Sequence, residues 1–157
     1  IHTNLAVANA SAWQWWTAVS LNEDVPLQLL PLEGLTGEDV KYDGRVVTTK
    51  MFWATANYSF FVRPGMRRVD VRALHKEATP LEAATSLMVS SYTDGAQVVT
   101  VFVNYADADK NVSLKCGNAR KGKMYVTSID KDLQYVGKQR LDALSIPARS
   151  VVTVVVD

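Results

Sequence analysis

Residues 12–20, Ala-Trp-Gln-Trp-Trp-Thr-Ala-Val-Ser, hold three of the four tryptophans of this 157-residue chain. The pattern predicts a strand over residues 12–19. In a strand, Trp13 and Trp15 point to one face, whereas Gln14 and Trp16 point to the other. Large aromatic side chains on both faces indicate a strand that is buried on both sides, or one that is buried on one side and lines a ligand pocket on the other.

The tryptophan cluster has two interpretations. A flat aromatic ring packs against the C–H face of a pyranose, and a nearby amide such as that of Gln14 bonds the sugar hydroxyls. The alternative is a core strand filled with large residues. The residues of the cluster leave both interpretations open.

A second aromatic stretch follows about forty residues later. Thr48 and Thr49 are suitable N-caps for a helix that runs to about Phe61. Its apolar residues lie nearly all the way round, which predicts burial against more than one layer. Pro64-Gly65 ends the helix.

Two segments flank the tryptophan cluster. Residues 1–9 carry apolar side chains at helical spacing, so they are predicted to be the last turns of a helix. Residues 20–47 have no clear period and contain six acidic side chains. A connection of this length is more often functional than not. Within it, Asp43-Gly44 resembles a short hairpin turn between residues 40–42 and 45–47.

From Met66 onward the pattern changes to short strands separated by turn signals. Strands at this spacing, without helical periodicity between them, predict an antiparallel sandwich. The last strand is continuously apolar apart from Thr153, so we place it centrally in its sheet. The predicted strands are 67–74, 84–92, 97–105, 112–116, 123–128, 139–144 and 150–156.

Composition excludes several classes of protein. The net charge of +1 implies no nucleic-acid partner and no anionic membrane surface. No apolar run approaches the roughly 18 residues of a membrane span. Cys116 is the only cysteine, so an internal disulfide is excluded. The chain starts at Ile1 rather than Met and inside a predicted helix, so we expect it to be part of a longer precursor.

The residues predict no complete active site. His2 and His75 are far apart in sequence, and no cluster has metal-ligand spacing. We therefore predict no metal, no cofactor and no catalytic residue in this chain. The acidic residues between Glu23 and Asp43 have the chemistry of the paired carboxylates of a glycosidase, but a solvated loop is the simpler interpretation. The sequons at Asn9, Asn57 and Asn111 are interpreted as coincidental, because two lie in segments expected to be buried.

The two aromatic stretches resemble a known family. Residues 10–20 (ASAWQWWTAVS) and 50–69 (KMFWATANYSFFVRPGMRRV) are similar to the C-terminal part of glycoside hydrolase family 30, with the closest likeness to its endo-β-1,6-galactanase branch. Residues 125–128 and 146–153 are similar to the final strands of that family. The resemblance covers essentially the whole chain.

The resemblance implies a two-part architecture. Residues 1–65 would be the end of a (β/α)8 barrel, with its last strand, a long loop and its last helix, and residues 66–157 would be a β-sandwich domain. The long loop would then lie on the face where barrel active sites form. The expected fold class is mainly β: a C-terminal antiparallel β-sandwich preceded by the last strand and helix of a (β/α)8 barrel.

The family's retaining mechanism uses two glutamates on earlier barrel strands. By resemblance, both would lie upstream of Ile1, and Glu23, Glu33 and Glu38 match neither. The chain alone is therefore expected to be inactive. Where the family has Arg, this chain has Phe60, which implies a different partner surface on the last helix.

A substrate-binding role on the eighth strand does carry over. Trp16 is the first candidate for a wall of the sugar site, and Gln14 on the same face is the second. Trp15, on the opposite face, is the third, because a bulge would exchange the faces.

The resemblance implies a fragment of a secreted, periplasmic or cell-surface bacterial glycosidase. Its expected partners are a polysaccharide or oligosaccharide substrate and the N-terminal barrel portion of the same protein. One alternative is a free-standing carbohydrate-binding β-sandwich module, and another is a purely structural sandwich. The fragment hypothesis also predicts that residues 1–62 expose apolar surface, self-associate, or are ordered by further chain.

Overall fold

A computed structural model describes residues 1–19, 29–30, 32–33, 45–72 and 79–157. The predicted turn at Asp43-Gly44, His75, and the loop residues Glu23 and Glu38 lie outside these ranges. The elements in chain order are a π-helical turn (Thr3–Val7), β1 (Leu32–Glu33), β2 (Arg45–Val46), α1 (Lys50–Ser59), β3 (Arg67–Val69), α2 (Pro80–Ala84), β4 (Leu87–Thr93), β5 (Val98–Asn104), β6 (Lys110–Val112), β7 (Lys121–Thr127), β8 (Gln134–Arg140), a 3-10 turn (Leu141–Ala143), β9 (Leu144–Ile146) and β10 (Ser150–Val156).

A six-stranded antiparallel sheet forms the centre of the molecule, with strand order β3-β4-β5-β10-β7-β8. The last strand, β10, lies between β5 and β7, so its predicted central position is confirmed. It pairs along its whole length with β5, from Ser150 opposite Asn104 to Val156 opposite Val98. A second, two-stranded sheet pairs β6 with β9.

One face of the large sheet packs against the β6–β9 sheet. Alternate residues of β10 point into this core, where Val152 and Val154 are fully buried. They pack in one cluster with Phe102 from β5 and Ile146 from β9. The predicted fold class, a mainly β protein with an antiparallel sandwich, is therefore confirmed.

The other face of the large sheet packs against α1 and the N-terminal turn. Val99, Val101 and Val155 from the sheet form a second core with Tyr58 from α1. Leu5 from the N-terminal turn packs against the same cluster. The described N-terminal residues are thus part of the same packed unit as the sandwich.

Helix α1 begins where the sequence predicts. Thr49 is its N-cap, and its hydroxyl accepts a hydrogen bond from the Phe52 amide at 3.1 Å. The predicted burial on all sides is not observed, since only Asn57 and Tyr58 are buried within the helix. In the described structure α1 packs on β7 and β10, and a single layer covers a single face.

Asn57 fastens α1 to the sheet through a buried polar cluster. Its amide nitrogen donates to the Thr127 hydroxyl at 2.8 Å and to the Trp53 carbonyl at 3.0 Å. The Thr153 hydroxyl lies 2.9 Å from both the side-chain and the backbone oxygen of Asn57. Asn57 is fully buried, so this sequon does not present a glycan acceptor in the folded chain, which agrees with its interpretation as coincidental.

Several elements differ from those predicted. Strand β6 lies earlier than the predicted 112–116 strand, and the predicted 139–144 strand is divided by a 3-10 turn into β8 and β9. The sequence of β8 lacks an apolar alternation because it is a largely exposed edge strand. Helix α2 was not predicted, although Thr79 and Glu82 form a capping box around Pro80 at its start.

Tyr58 of α1 and Tyr92 of β4 lie in the core between the helix and the large sheet, and their hydroxyl groups are buried and unpaired. Neither phenolic oxygen has a hydrogen-bond partner among the described residues. Burial raises the pKa of the Tyr58 phenol far above its usual value; the nearby Ser90 hydroxyl opposes this rise and the Tyr92 phenol adds to it. The Ser90 and Tyr58 hydroxyls do not meet the geometry of a hydrogen bond.

We expect Tyr58→Phe to reduce the decrease in the free energy of unfolding that the parent chain shows above about pH 10. In the unfolded chain the phenol ionises near pH 10, whereas in the folded chain its pKa is raised. Its contribution to stability is therefore complete below about pH 10 and is lost as the pH rises further. Removing an unpaired buried hydroxyl should leave stability at pH 7 within about 1 kcal/mol of the parent value, or above it.

Urea denaturation between pH 7 and pH 11 measures this effect. Tyr135→Phe is the matched control, because it removes the hydroxyl of a tyrosine that is 51% exposed instead of buried. An equally steep alkaline loss in Tyr58→Phe and the parent chain would contradict the assignment.

Candidate functional site

The tryptophan segment does not form a paired strand in the described structure. Bends occur at Trp16 and at Ala18–Val19, and no strand is assigned over residues 12–19. The prediction of a strand in this segment is therefore wrong for the chain as described. A strand needs a neighbour to receive its backbone hydrogen bonds. Here the Leu30 amide donates to the Ala18 carbonyl at 2.9 Å.

The predicted alternation of faces is nevertheless observed. Trp13 and Trp15 are half-buried, and their ring centroids lie 5.7 Å apart at an interplanar angle of 31°. Gln14 is exposed, and Trp16 is 87% exposed. The segment therefore turns one aromatic pair towards the protein and presents Gln14 and Trp16 to solvent.

The exposed pair has the chemistry of a sugar-binding wall. An indole ring offers a flat apolar face and one N–H donor, and the Gln14 amide offers two donors and an acceptor. Such a combination can stack on a pyranose and bond its hydroxyls. The peptide bond between Trp16 and Thr17 is cis, and the Thr17 hydroxyl donates to the Val19 carbonyl at 3.3 Å.

The segment is held at both ends by polar contacts. At its start, the Arg68 guanidinium lies 3.4 Å from the side-chain oxygen of Asn9. At its end, the Ala18 carbonyl accepts from Leu30, and the neighbouring Leu29 carbonyl accepts from the Thr49 hydroxyl at 2.9 Å. Thr49 also caps α1, so the end of the tryptophan segment is linked through residues 29–30 to the start of that helix.

The described residues contain no recognisable acid–base pair. Every described carboxyl group with a shifted pKa has it lowered by hydrogen bonds or cations, as at Asp130, where Lys131 and Ser128 lower the pKa to about 2. A glycosidase acid needs a raised pKa. Within the described ranges, no three His, Cys, Asp or Glu side chains are grouped so that they could hold a metal ion.

The three predicted site residues are thus separated by the structure. Trp16 and Gln14 share the exposed side, which is the arrangement predicted for the first two candidates. Trp15 packs against Trp13 on the other side. Their role in binding substrate stays a prediction. No helix among the described residues has the length and apolar character to cross a membrane.

A second aromatic surface was missed by the sequence analysis. The rings of Phe60, Phe61, Tyr125 and Tyr135 form a continuous row, with successive centroids 5.1, 4.6 and 5.1 Å apart. Its two ends are exposed, at 67% for Phe60 and 51% for Tyr135. Only the adjacent phenylalanines are visible as a motif, because strand pairing between β7 and β8 brings the tyrosines together.

Comparison with solved structures shows the fold over the whole chain. A conserved exported protein from Bacteroides fragilis matches 99% of this chain and 31% of its own length, with a TM-score of 0.88 and 62% sequence identity. A family 30, subfamily 8 xylanase from Clostridium acetobutylicum matches 99% of this chain and 36% of its own length, with a TM-score of 0.67 and 22% identity.

A further likeness is to a family 30 endoxylanase from Clostridium papyrosolvens. It matches 69% of this chain and 28% of its own length, with a TM-score of 0.56 and 24% identity. At these identities the xylanases show a shared fold.

A comparison with known protein families finds no match. The chain spans about a third of the length of each of these solved proteins.

Proposed function

We propose that this chain is the C-terminal part of a secreted, retaining glycoside hydrolase of family 30, and that its substrate is β-1,6-galactan. Residues 1–65 would complete the catalytic barrel, and residues 66–157 would form the sandwich that supports it. Trp16 and Gln14 would provide part of the sugar-binding wall. The two catalytic glutamates would belong to barrel strands outside this chain.

The observation that carries the proposal is the exposure of Trp16. Burying a side chain of this kind contributes on the order of 1.5–3 kcal/mol, yet Trp16 is 87% exposed beside an exposed amide while its neighbours Trp13 and Trp15 are half-buried. A pyranose ring would cover the indole and use the amide of Gln14. The segment is also anchored at both ends, which reduces the entropy lost on binding.

The comparisons support the family and the location. The xylanases that share the fold are family 30 enzymes, and the Bacteroides fragilis protein, at 62% identity over 99% of this chain, is described as exported. The choice of β-1,6-galactan rests on the resemblance of residues 10–20 and 50–69 to the galactanase branch.

Exposed apolar side chains support a missing partner. Several occur within residues 1–65, where a barrel would cover them. They are Val7, Val19, Val46 and Phe60. In the proposed architecture these side chains pack against the N-terminal barrel portion.

A chimaera provides the decisive experiment. The matching 31% of the Bacteroides fragilis protein is replaced by this chain, and hydrolysis of β-1,6-galactan and of xylan is measured against the intact relative. We expect the chimaera to hydrolyse β-1,6-galactan in preference to xylan. Absence of β-1,6-galactan hydrolysis by a folded chimaera, or a preference for xylan, would contradict the galactanase assignment.

In the active chimaera, we expect Trp16→Ala to lower kcat/KM for β-1,6-galactan at least tenfold. Loss of one stacked contact of this size corresponds to roughly 1.5–3 kcal/mol. Tyr105→Ala is the matched control, since it removes another exposed aromatic ring, 55% exposed, from outside both residues 1–65 and the aromatic row, and should leave kcat/KM nearly unchanged. Equal kcat/KM in Trp16→Ala and the parent chimaera would remove Trp16 from the site and would favour a purely structural role.

The aromatic row from Phe60 to Tyr135 favours a second candidate function, a carbohydrate-binding module. Exposed aromatic rings offer flat apolar faces on which a pyranose can stack. Titration of this chain with β-1,6-galacto-oligosaccharides, followed by NMR, distinguishes the two. Binding that is lost in Tyr135→Ala and kept in Trp16→Ala supports the module, whereas binding only after fusion to a barrel supports the hydrolase.

A further inference from the structure

A cavity of about 340 Å³ opens where β3 separates from β4. The two strands pair from Arg67 opposite Thr93 to Val69 opposite Ser91, and the chain then leaves β4. Residues 70–72 form one wall of the resulting gap, and Val89 and Ser90 of β4 form the other. The cavity volume lies at the lower end of the range for small-molecule sites, roughly 300–1,000 Å³.

Two buried polar groups line this cavity without partners. Ser90 is only 2% exposed, and its hydroxyl has no hydrogen-bond partner in the part of the chain that the structure describes. His2 also lines the cavity, and its Nδ1 atom is buried without a hydrogen-bond partner among the described residues. Unpartnered buried polar atoms are rare in folded proteins and call for a ligand, an ion or a water.

The charges around the cavity favour an anion. Arg68 and Arg72 line it with Asp70, which leaves one excess positive charge. The Arg68–Asp70 ion pair is long, at 3.4 Å, and Asp70 is largely exposed, so the guanidinium keeps donors for another acceptor. Burial lowers the pKa of His2, so its imidazole is neutral at pH 7. A neutral imidazole forms a hydrogen bond with a ligand hydroxyl but adds no positive charge for a second ligand carboxylate.

We propose that this cavity binds a small carboxylate that also carries hydroxyl groups, either a sugar acid or a short hydroxy acid. Arg68 and Arg72 bind the carboxylate through charge-assisted hydrogen bonds. Ser90 and His2 bind the hydroxyls and thereby satisfy their buried polar atoms. The site is separate from the Trp16 surface, and the proposal does not rest on the proposed glycosidase function.

Titration of the isotope-labelled chain followed by NMR tests the site directly. The probes are D-galacturonate, D-galactose, which lacks the carboxylate, and glycolate, which carries a carboxylate and one hydroxyl. We expect D-galacturonate or glycolate to shift the backbone amides of residues 68–72 and 89–90 saturably. A response to D-galacturonate alone shows that the ligand is a sugar acid. A response to both acids shows that a carboxylate with one neighbouring hydroxyl is sufficient for binding.

Variants locate the binding. Arg72→Gln should weaken the binding of the responding acid about tenfold or more, because a charge-assisted contact is lost. Ser90→Ala should weaken it several-fold without harm to folding, since the hydroxyl it removes is unpaired. Arg140→Gln, at an exposed arginine paired with Asp142, is the matched control and should change nothing.

Several results would overturn the proposal. They are the absence of a saturable shift with either acid, a response to D-galactose as strong as that to D-galacturonate, or unchanged affinity in both Arg72→Gln and Ser90→Ala. Failure of the site would leave the hydrolase proposal untouched, because the chimaera assay depends on Trp16, which does not line the cavity, and the variants that test the cavity, Arg72→Gln and Ser90→Ala, leave the Arg68–Asn9 contact in place.

Discussion

Asn57→Ala should destabilise the fold by about 3 kcal/mol. The substitution removes the amide that links α1 to β7 and β10, and it leaves the hydroxyls of Thr127 and Thr153 with fewer partners in a buried site. Each unsatisfied buried polar group costs about 1–3 kcal/mol, and a small cavity adds to this. For a chain of this size, the melting temperature should fall by about 10 °C.

Urea denaturation followed by circular dichroism gives the change in the free energy of unfolding. Asn111→Ala is the matched control, because Asn111 is exposed on β6 and its replacement should cost no more than about 0.5 kcal/mol. A double-mutant cycle with Thr153→Val should show a coupling of about 1 kcal/mol or more. Additive effects of the two substitutions would contradict a direct Asn57–Thr153 interaction.

Gly122→Val should destabilise the sandwich by about 3 kcal/mol. Gly122 lies in β7, and a Cβ atom there would be 2.7 Å from Cγ1 of Val154 and 3.1 Å from the Val155 carbonyl oxygen. The side chain of Leu141 would be 3.2 Å away. The Val155 backbone cannot move away as easily as the end of a flexible side chain. Overpacking a filled core costs about 1–3 kcal/mol, occasionally more.

The series Gly122→Ala and Gly122→Val separates close packing from general disturbance of the strand. We expect a loss of about 2 kcal/mol for alanine and a larger loss for valine, measured by the urea midpoint at constant slope. Lys121→Ala, at the exposed neighbouring position of β7, should stay within about 0.5 kcal/mol of the parent chain. Equal stability of Gly122→Ala and the parent chain would show that the core around Val154 has room for the added atom.

Strong local signals were sufficient for much of the fold. The continuous apolar run of β10 identified both the strand and its central position, because only a strand covered on both faces can be apolar throughout. The two threonines before α1 located its start, since side-chain capping is a local interaction. The edge strand β8 carries no comparable signal, because its exposed side chains need not be apolar.

The sequence predicted which side chains of the candidate site are exposed, but it did not predict the secondary structure of the segment. Alternation of Trp13 to Trp16 depends only on an extended backbone, so the sequence was enough to separate the exposed pair from the half-buried pair. Whether that backbone is a strand depends on a neighbour that supplies hydrogen bonds, and such a neighbour is distant in sequence. The aromatic row through Tyr125 and Tyr135 was missed for the same reason.

Local order in the sequence therefore determined the tryptophan segment's alternation, the capped helix and the central β10 strand of this protein. Tertiary structure alone decided the burial of Asn57 beneath α1, the aromatic row on the sandwich and the polar cavity beside Ser90. Each of these joins residues from segments that are remote in the chain. Pairing and packing bring them together only when the sheet has formed, whereas capping and periodicity act within a few residues.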